Sequence, residues 1–497
     1  MLGGLAYLRS KHASEKISLD KEVSLAEFQN LFEEELKKKQ LPFIPVQLDP
    51  ILQPHLDKIK AKPVSMEELA NVPPKLVKEF ASVKAYSSPK LAQKVRITFL
   101  GGGGIGNMAI LIQHNNGAIL LDSGMSVANY AIPRWHPALK FVKAILITHA
   151  HLDHTGALPY FITPESGKRW YASPQTKKLT ELLLFDTSSI IDEINVPSEH
   201  LPPFYSAYLK RSNLINLFNV FEPIPPKKTI EVAPGFEVTA YPSSHLFGSY
   251  GYEIDIYGHR ILFTGDFSLN DSALFKGAKM PIDCEVTIFD GTYYNRESKA
   301  QDLSLVLSQA EEQCKRILIP AFSLGRSQEM FKRVEIAGLD KKFNVKIVGL
   351  SSKVTALMGI SGNYRGYNVL YPEEFEEGDL VIAGNGMLQG GTARVLLDAT
   401  RDDEDTGVIL CGYQAPNTLG FALKSGHPIA LQNYHQKIYN AKVSGHSTAF
   451  ELDNFIAELS GMKIMVHTPK GTKRKSKHKD LLIPRYLETV EINASKL

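Results

Sequence analysis

From Val95 onward the chain breaks into short apolar runs separated by turn-forming clusters. VRITFL reads as a strand, GGGGIG as a turn, and NMAILIQ and GAILLDSG as two further strands. KAILITHA reads as a buried strand that runs into HLDHTGALPYF. SYGYEIDIYGHRILFTGD predicts a hairpin with Gly258-His259 near its turn. From about Val286 the pattern changes. VTIFD, RILIP, VKIVGL, LVIAG and GVILCGY are β-type runs with helix-like stretches between several of them, including Asp302 to Cys314 and Arg326 to Ala337. That alternation predicts βαβ units and a parallel sheet of their own. From about Gln432 the order returns to strand, helix, strand in KIYNAKVSG, AFELDNFIAEL and KIMVH. Ahead of all this, residues 1–92 have a separate texture. They hold helical patterns over Ser24 to Gln40 and near Met66 to Ala81, joined by a Pro-containing linker. A packing or oligomerisation appendage is expected there.

Composition narrows the setting. The 497 residues amount to about three domains. With 43% hydrophobic and 22% charged residues the chain reads as globular, not disordered. No apolar run approaches the ~20 residues of a membrane span. The opening MLGGLAYLRSKHASEK lacks the basic lead-in of a secretory signal. Cys284, Cys314 and Cys411 are scattered, with no CxxC spacing, and are expected to fill cores in a reducing, cytoplasmic setting. A net charge of +3 permits a nucleic-acid partner without requiring one.

The strongest chemical signal is THAHLDH, Thr148 to His154. A strand is expected to deliver His149 and His151, and a sharp turn to add Asp153 and His154. Packed together, these side chains would repel and desolvate one another unless a cation joined them. Imidazole and carboxylate without thiolate suit Zn2+, with Mn2+ or another divalent ion as the alternative. The spacing splits the run, with His149 and His151 facing one metal and Asp153 and His154 a second. Further ligands are expected at other strand ends: His245 in YPSSHLFGS, Asp266 in ILFTGDFS as a carboxylate able to bridge, and His467 in KIMVHTP. Asp122 in ILLDSG is expected to orient a ligand histidine.

These residues carry a resemblance. THAHLDH, with Asp122 upstream and His245 and Asp266 downstream, resembles the metallo-β-lactamase fold, an α/β αββα sandwich. The alternating region resembles the inserted parallel-sheet β-CASP domain of nucleases in that superfamily, including the ribonuclease J and polyadenylation-factor endonuclease groups. IPAFSLGRSQEM is close to a signature of that family, and its motif residues match Asp290, His446 and His467. The resemblance implies an N-terminal extension at 1–92, a metallo-β-lactamase domain at 93–292 and a β-CASP domain at 293–431. Its returning part, with a basic C-terminal segment, would span 432–497. It also implies one zinc on His149, His151 and His245, a second on Asp153, His154 and His467, and Asp266 bridging. Asp290 would orient His446 beside the scissile phosphate, so that His446, Asp290, Asp266 and Asp153 serve the reaction.

Two such metals can activate a shared water for attack on a phosphodiester, with His446 as acid or as stabiliser of the phosphate oxygen. Members of the superfamily that process RNA have histidine at the last motif, where the DNA-repair branch tends to have valine; His467 thus implies RNA as substrate, and the insertion implies a cleft suited to a single-stranded polymer. Endonucleolytic and 5′-to-3′ exonucleolytic action, or both, fit, with a homodimer as one form and no membrane partner. A DNA nuclease, a non-catalytic RNA-binding subunit and a small-molecule hydrolase are the competing readings. The run Lys470 to Lys479 is either a phosphate contact or a solvated tail, and Arg326, beside Ser323 and Gly325, either meets a phosphate or makes a structural ion pair. His467-Thr468-Pro469 replaces the His-Gly-Glu common at the last motif, GGGGIGN lacks a Glu found in many relatives, and APN stands in GYQAPNTLG where a glutamate-glycine pair is frequent. The metal set is untouched by these departures; the subfamily is what they leave open.

Overall fold

A computed structural model describes residues 94–115, 117–126, 131–163, 166–193, 211–294, 301–441, 443–469, 472, 478 and 480–493. The helices expected before residue 92 lie outside the described residues. Of the run Lys470 to Lys479, only Thr472 and His478 are described.

Three sheets organise these residues. The first has strands β1 (Lys94–Phe99), β2 (Ile110–His114), β3 (Gly117–Leu121), β4 (Val142–Leu146), β5 (Arg169–Ala172) and β6 (Phe221–Pro223), with β20 (Thr489–Asn493) at its edge beside β1. The second runs β19 (Leu481–Leu482), β18 (Met462–Val466), β11 (Val286–Asp290), β10 (His259–Phe263), β9 (Tyr250–Ile256), β8 (Phe236–Pro242), β7 (Thr229–Ala233). The two pack face to face. The pleat sends alternate side chains to opposite faces: Ile110 and Ile112 enter the layer between the sheets with Ile254, Ile261 and Ile288. Leu111 points the other way, toward helices Leu158–Phe161, Pro174–Glu193 and Arg211–Asn219. Helix Ala449–Glu458 covers the outer face of the second sheet through Leu452, Phe455 and Ile456, against Phe289 and Met465. Both faces of each sheet are thereby buried, which is why the central strands read as continuous apolar runs, and the fold is an αββα sandwich.

The third sheet is wholly parallel, in the order β14 (Arg365–Tyr367), β13 (Asn344–Val348), β15 (Asp379–Ala383), β12 (Arg316–Pro320), β16 (Thr406–Leu410), β17 (Lys437–Asn440). Helices cover both faces, with Leu303–Gln313 and Arg326–Ile336 on one and Gly391–Ala399 and Leu419–Lys424 on the other. Two strands differ in placement from the sequence pattern. VTIFD, which opens the alternating stretch, is β11 of the sandwich, parallel to both β10 and β18. KIYN is β17, paired in parallel with β16 from Gly407↔Lys437 to Leu410↔Asn440. The chain therefore returns to the sandwich after Asn440, not at 432. A short apolar run identifies a strand; it does not identify the sheet in which that strand finds its partner.

Candidate metal centre

The carboxyl ends of the sandwich strands converge on one point. His149 follows β4, His245 follows β8 and Asp266 follows β10. Asp290 is the last residue of β11, and His467 comes directly after β18. His151 caps a one-turn helix, Leu152–Thr155, that carries Asp153 and His154, so this part of the expected turn is helical. Two glycines let the segments approach. Gly265 has φ +56°, and a Cβ there would sit 2.7 Å from the Thr148 side chain; on Gly124 it would meet the Asp153 carbonyl oxygen at 1.6 Å. His467 itself takes φ 56°, a left-handed conformation that costs an ordinary residue about 1–3 kcal/mol. Its N–H donates to Gly102 O at 2.8 Å, which ties it to the glycine-rich turn after β1.

Among the described residues three groups of donor atoms are close enough to hold a cation: His149, His151, His245 and Asp266; Asp153, His154 and His467; and, at the rim, Asp266, Asp290 and His446. In the first, His151 Nδ1 lies 3.1 Å from His149 Nε2 and 3.3 Å from His245 Nε2. Asp266 stands between the groups. Its Oδ2 is 3.7 Å from His149 Nε2 and from His245 Nε2, while its Oδ1 is 3.4 Å from His154 Nε2 and 3.1 Å from His467 Nδ1. His467 Nε2 is 3.3 Å from Asp153 Oδ2.

The outward nitrogens settle the tautomers. His245 Nδ1 lies 2.7 Å from Gly445 O, and His151 Nε2 lies 3.4 Å from Leu324 O. A carbonyl only accepts, so each of these nitrogens carries the hydrogen and the inward nitrogen keeps its lone pair. His154 Nδ1 lies 2.7 Å from Asp122 Oδ2. Thr148 Oγ1 donates to the same carboxylate at 2.9 Å and lies 3.0 Å from His149 Nδ1. One buried aspartate thus orients a histidine of each group, the arrangement that fixes ligand rings in metal sites. Meanwhile His154 Nε2 and His467 Nε2 are buried without a hydrogen-bond partner among the described residues. Neutral imidazoles, carboxylates and partnerless buried nitrogens aimed at shared points fit divalent metal binding.

The electrostatics agree. Burial, reinforced by neighbouring imidazoles, pushes His149 and His245 well below the usual histidine range, and burial lowers His151. Burial also opposes charge on His154 and His467. There Asp266 leads the carboxylates that outweigh it, with Asp122 helping at His154 and Asp153 at His467; His154 is held well above the usual range and His467 at about 10. Burial alone would raise Asp266, but His154, His467 and His446 keep it well below the carboxylate range. The buried carboxylates of the second group therefore favour a cation beside them, a place that a proton or a divalent metal can fill.

At the rim, His446 Nδ1 lies 2.7 Å from Asp290 Oδ2. Asp290 Oδ1 accepts from Thr292 N at 2.8 Å and Thr292 Oγ1 at 2.7 Å. His446 Nδ1 is also 3.9 Å from Asp266 Oδ2, and its ring centre is 4.5 Å from that of His245. Against the pull of burial, Asp290 and Asp266 raise its pKa. Its side chain keeps 16% of its exposure, whereas His149 and His467 keep at most 2%, so a ligand can reach it.

All the site residues expected from the sequence meet here. The sequence reading missed Thr148, Thr292 and the carbonyls of Leu324 and Gly445. Thr148 had a signal, a polar residue at the end of a buried strand; the carbonyls had none, because every residue has one. Of the signature segment, Gly325 packs with φ +87° against Leu246, and Ser323 O accepts from Gln328 Nε2 at 3.1 Å. Among the described residues Arg326 pairs with no carboxylate, and its Nη1 is buried without an acceptor.

Residues 102–319 match the Metallo-beta-lactamase superfamily and residues 287–423 the Beta-Casp domain. The chain is 26% identical over 457 residues to the transcription termination factor FttA of Pyrococcus abyssi, covering 78% of this chain and 69% of that one. It is likewise 26% identical over 463 residues to FttA of Methanocaldococcus jannaschii, covering 80% and 72%. The endoribonuclease YSH1 of Yarrowia lipolytica is 28% identical over 359 residues, 64% of this chain and 42% of that longer one. A crystal structure of a protein of unknown function from Enterococcus faecalis V583 superposes with a TM-score of 0.51 at 15% identity, over 80% of this chain and 100% of that one, a likeness of fold. In sequence and in architecture, then, the chain carries a domain of the metallo-β-lactamase superfamily over residues 102–319 and a Beta-Casp domain over residues 287–423.

Proposed function

We propose that the protein is a two-zinc ribonuclease that hydrolyses phosphodiester bonds in single-stranded RNA. The observation that carries this reading is Asp266 standing between two His/Asp groups, with the His446–Asp290 pair at their rim. His149, His151 and His245 would hold one ion, Asp153, His154 and His467 the other, and Asp266 would reach both. A donor set of imidazole and carboxylate suits Zn2+, with Mn2+ as the competitor. When bound, such a pair supplies Lewis acidity to a phosphoryl group and makes water acidic enough to react near neutral pH.

The chain's own part is positional and protonic. Asp290 fixes the His446 ring and favours its protonated form, so that His446 can give a proton to the departing ribose oxygen or steady a charged phosphate oxygen. Asp122 and the Leu324 and Gly445 carbonyls keep the ligand rings aimed, which spares reorganisation during the reaction. RNA is favoured over DNA by His467 at the last motif and by the names of the relatives, an endoribonuclease and transcription termination factors. Three buried free thiols suit a reducing, cytoplasmic setting. Among the described residues no helix is long and apolar enough to cross a membrane.

The test is cleavage of RNA labelled at its 5′ or 3′ end, beside matching DNA, by protein loaded with Zn2+ or with Mn2+. Cleavage of RNA but not DNA, abolished by chelator and by Asp266→Asn, is expected. Mapping the product ends separates internal cutting from 5′-to-3′ trimming. Metal-saturated protein that binds RNA without cutting it would refute the reading.

A further inference from the structure

The three donors at the rim of the centre make a group of their own. Asp266, Asp290 and His446 offer ligand atoms that all lie within 4.8 Å of one another. Both carboxylates are buried, while His446 keeps access to solvent. Asp290 Oδ1 is taken by the N–H and the Oγ1 of Thr292, which leaves Oδ2 as the oxygen turned toward His446. The backbone beside the ring is pinned, since His446 N donates to Ser444 Oγ at 3.0 Å and Ser447 N to Phe267 O at 2.9 Å. Adjustment therefore falls to the ring. Its Nδ1 lies 2.7 Å from Asp290 Oδ2 and 3.9 Å from Asp266 Oδ2. Two ligand atoms on one tetrahedral zinc ion stand about 3.3 Å apart, so a shift of the ring by roughly 0.6 Å, away from Asp290 and toward Asp266, suits both.

We infer that this rim group is a third, inhibitory ion site that fills only when metal is in excess, and the inference rests on the ribonuclease reading above. The site differs from the other two in being satisfied without an ion. His154 Nε2 and His467 Nε2 are buried with no partner among the described residues, whereas His446 Nδ1 and Asp290 Oδ2 already share a hydrogen. An entering ion takes the place of that hydrogen, which leaves to water, because a ligand nitrogen has to offer its lone pair. It also shares Asp266 Oδ2, which faces His149 and His245 at 3.7 Å. Both costs, with repulsion from a neighbouring ion, make the third ion the weakest. Its effect is on the proton supply. Bound through Nδ1, His446 is a neutral imidazole with no spare proton for the departing ribose oxygen, and Asp290 no longer braces it. An imidazole beside carboxylates suits Zn2+ better than Mg2+, which keeps to oxygen ligands. Two ions ready the centre and a third silences it, so that the rate of cleavage reads the level of free zinc.

Zn2+ itself is the probe, applied to the full chain. Equilibrium dialysis across buffered free zinc should show two ions per chain held first and a third only at much higher free zinc. The third step should vanish in His446→Ala. In Asp290→Asn it should weaken on the order of tenfold, since a neutral oxygen replaces a charged one. Both variants should keep the first two ions. Initial rates on single-stranded RNA, taken over the same range of zinc at constant Mg2+, should rise to a maximum and then fall together with the third step. At saturation kcat should drop about 100-fold or more, the share of a positioned acid. The residual rate of His446→Ala should be unmoved by the zinc that silences the wild type. Wild-type protein that holds two ions, cuts RNA and keeps its rate in excess zinc would overturn the third site and leave the ribonuclease standing. A third ion that persists in His446→Ala would place that ion elsewhere and overturn the site as well. Two-ion protein that binds RNA without cutting it at any zinc level would overturn the ribonuclease reading, while the ion count, which needs no RNA, still decides the site.

Discussion

Asp122→Asn probes a buried carboxylate that supports His154 directly and His149 through Thr148. The carboxylate is wholly buried. Its Oδ1 accepts from Thr148 N at 2.8 Å, and its Oδ2 meets His154 Nδ1 at 2.7 Å and Thr148 Oγ1 at 2.9 Å. Asparagine has the same shape and keeps the bond from Thr148 N, so the strand end should hold. Its amide then faces His154 Nδ1 with a donor. His154 must give up that hydrogen bond or move its proton to Nε2, the atom a metal would use. A hydrogen bond to a charged group contributes about 1.5–3 kcal/mol, which predicts an about 10- to 100-fold weaker ion on the Asp153, His154 and His467 group. The route to His149 through Thr148 is one bond further and between neutral groups, about 1 kcal/mol, so the other ion should weaken by only about fivefold. Equilibrium dialysis against a graded chelator, read as ions per chain, should show one ion leaving well before the other, with circular dichroism unchanged. Two ions held with wild-type affinity would refute the assignment of Asp122 as the shared support. Equal loss of both would refute the inequality between the direct and relayed bonds.

Other outcomes follow from the same geometry. His446→Ala should retain both ions and lose on the order of 100-fold or more in kcat, the usual contribution of a positioned acid–base group; departure of an ion would place His446 among the ligands instead. Chelation should lower the melting temperature by several degrees, because an ion present at about 1,000 times its dissociation constant contributes about 4 kcal/mol per site; an unchanged melting curve would show that the clusters hold no metal. Burial raises all three thiols, Cys284 and Cys411 to about 11. Since the thiolate is the reacting form and a raised pKa leaves little of it at pH 8, the folded protein should be inert to a thiol reagent and the denatured chain should titrate three groups. Rapid labelling of native protein would contradict the buried positions.

Much of the site was legible because its chemistry is concentrated in residue types that rarely gather by accident. THAHLDH, His245, Asp266 and His467 each follow an apolar run, so each could be placed at a strand end before any coordinates. The parallel sheet was legible as well, from regular alternation of β-type and helical stretches. Sheet membership was not: KIYN carries the same local signal whether it pairs with β16 or with the sandwich, and only the register shows which. Nor did side-chain identity hint at the Leu324 and Gly445 carbonyls, whose part depends wholly on where the backbone passes. Thr148 lies between these cases, visible in the motif yet outshone by its histidine neighbours.

Those two carbonyls have a consequence for how the molecule is divided. They come from the segments after β12 and β17, the first and last strands of the inserted sheet in chain order, and they steady rings that belong to the sandwich. A sandwich severed from its insert would keep the candidate ligands and the Gly445 carbonyl beside His245, and would lose the Leu324 carbonyl that steadies His151. The insert is accordingly tied into the candidate metal centre at His151, so that the two lobes share one hydrogen-bonded joint there.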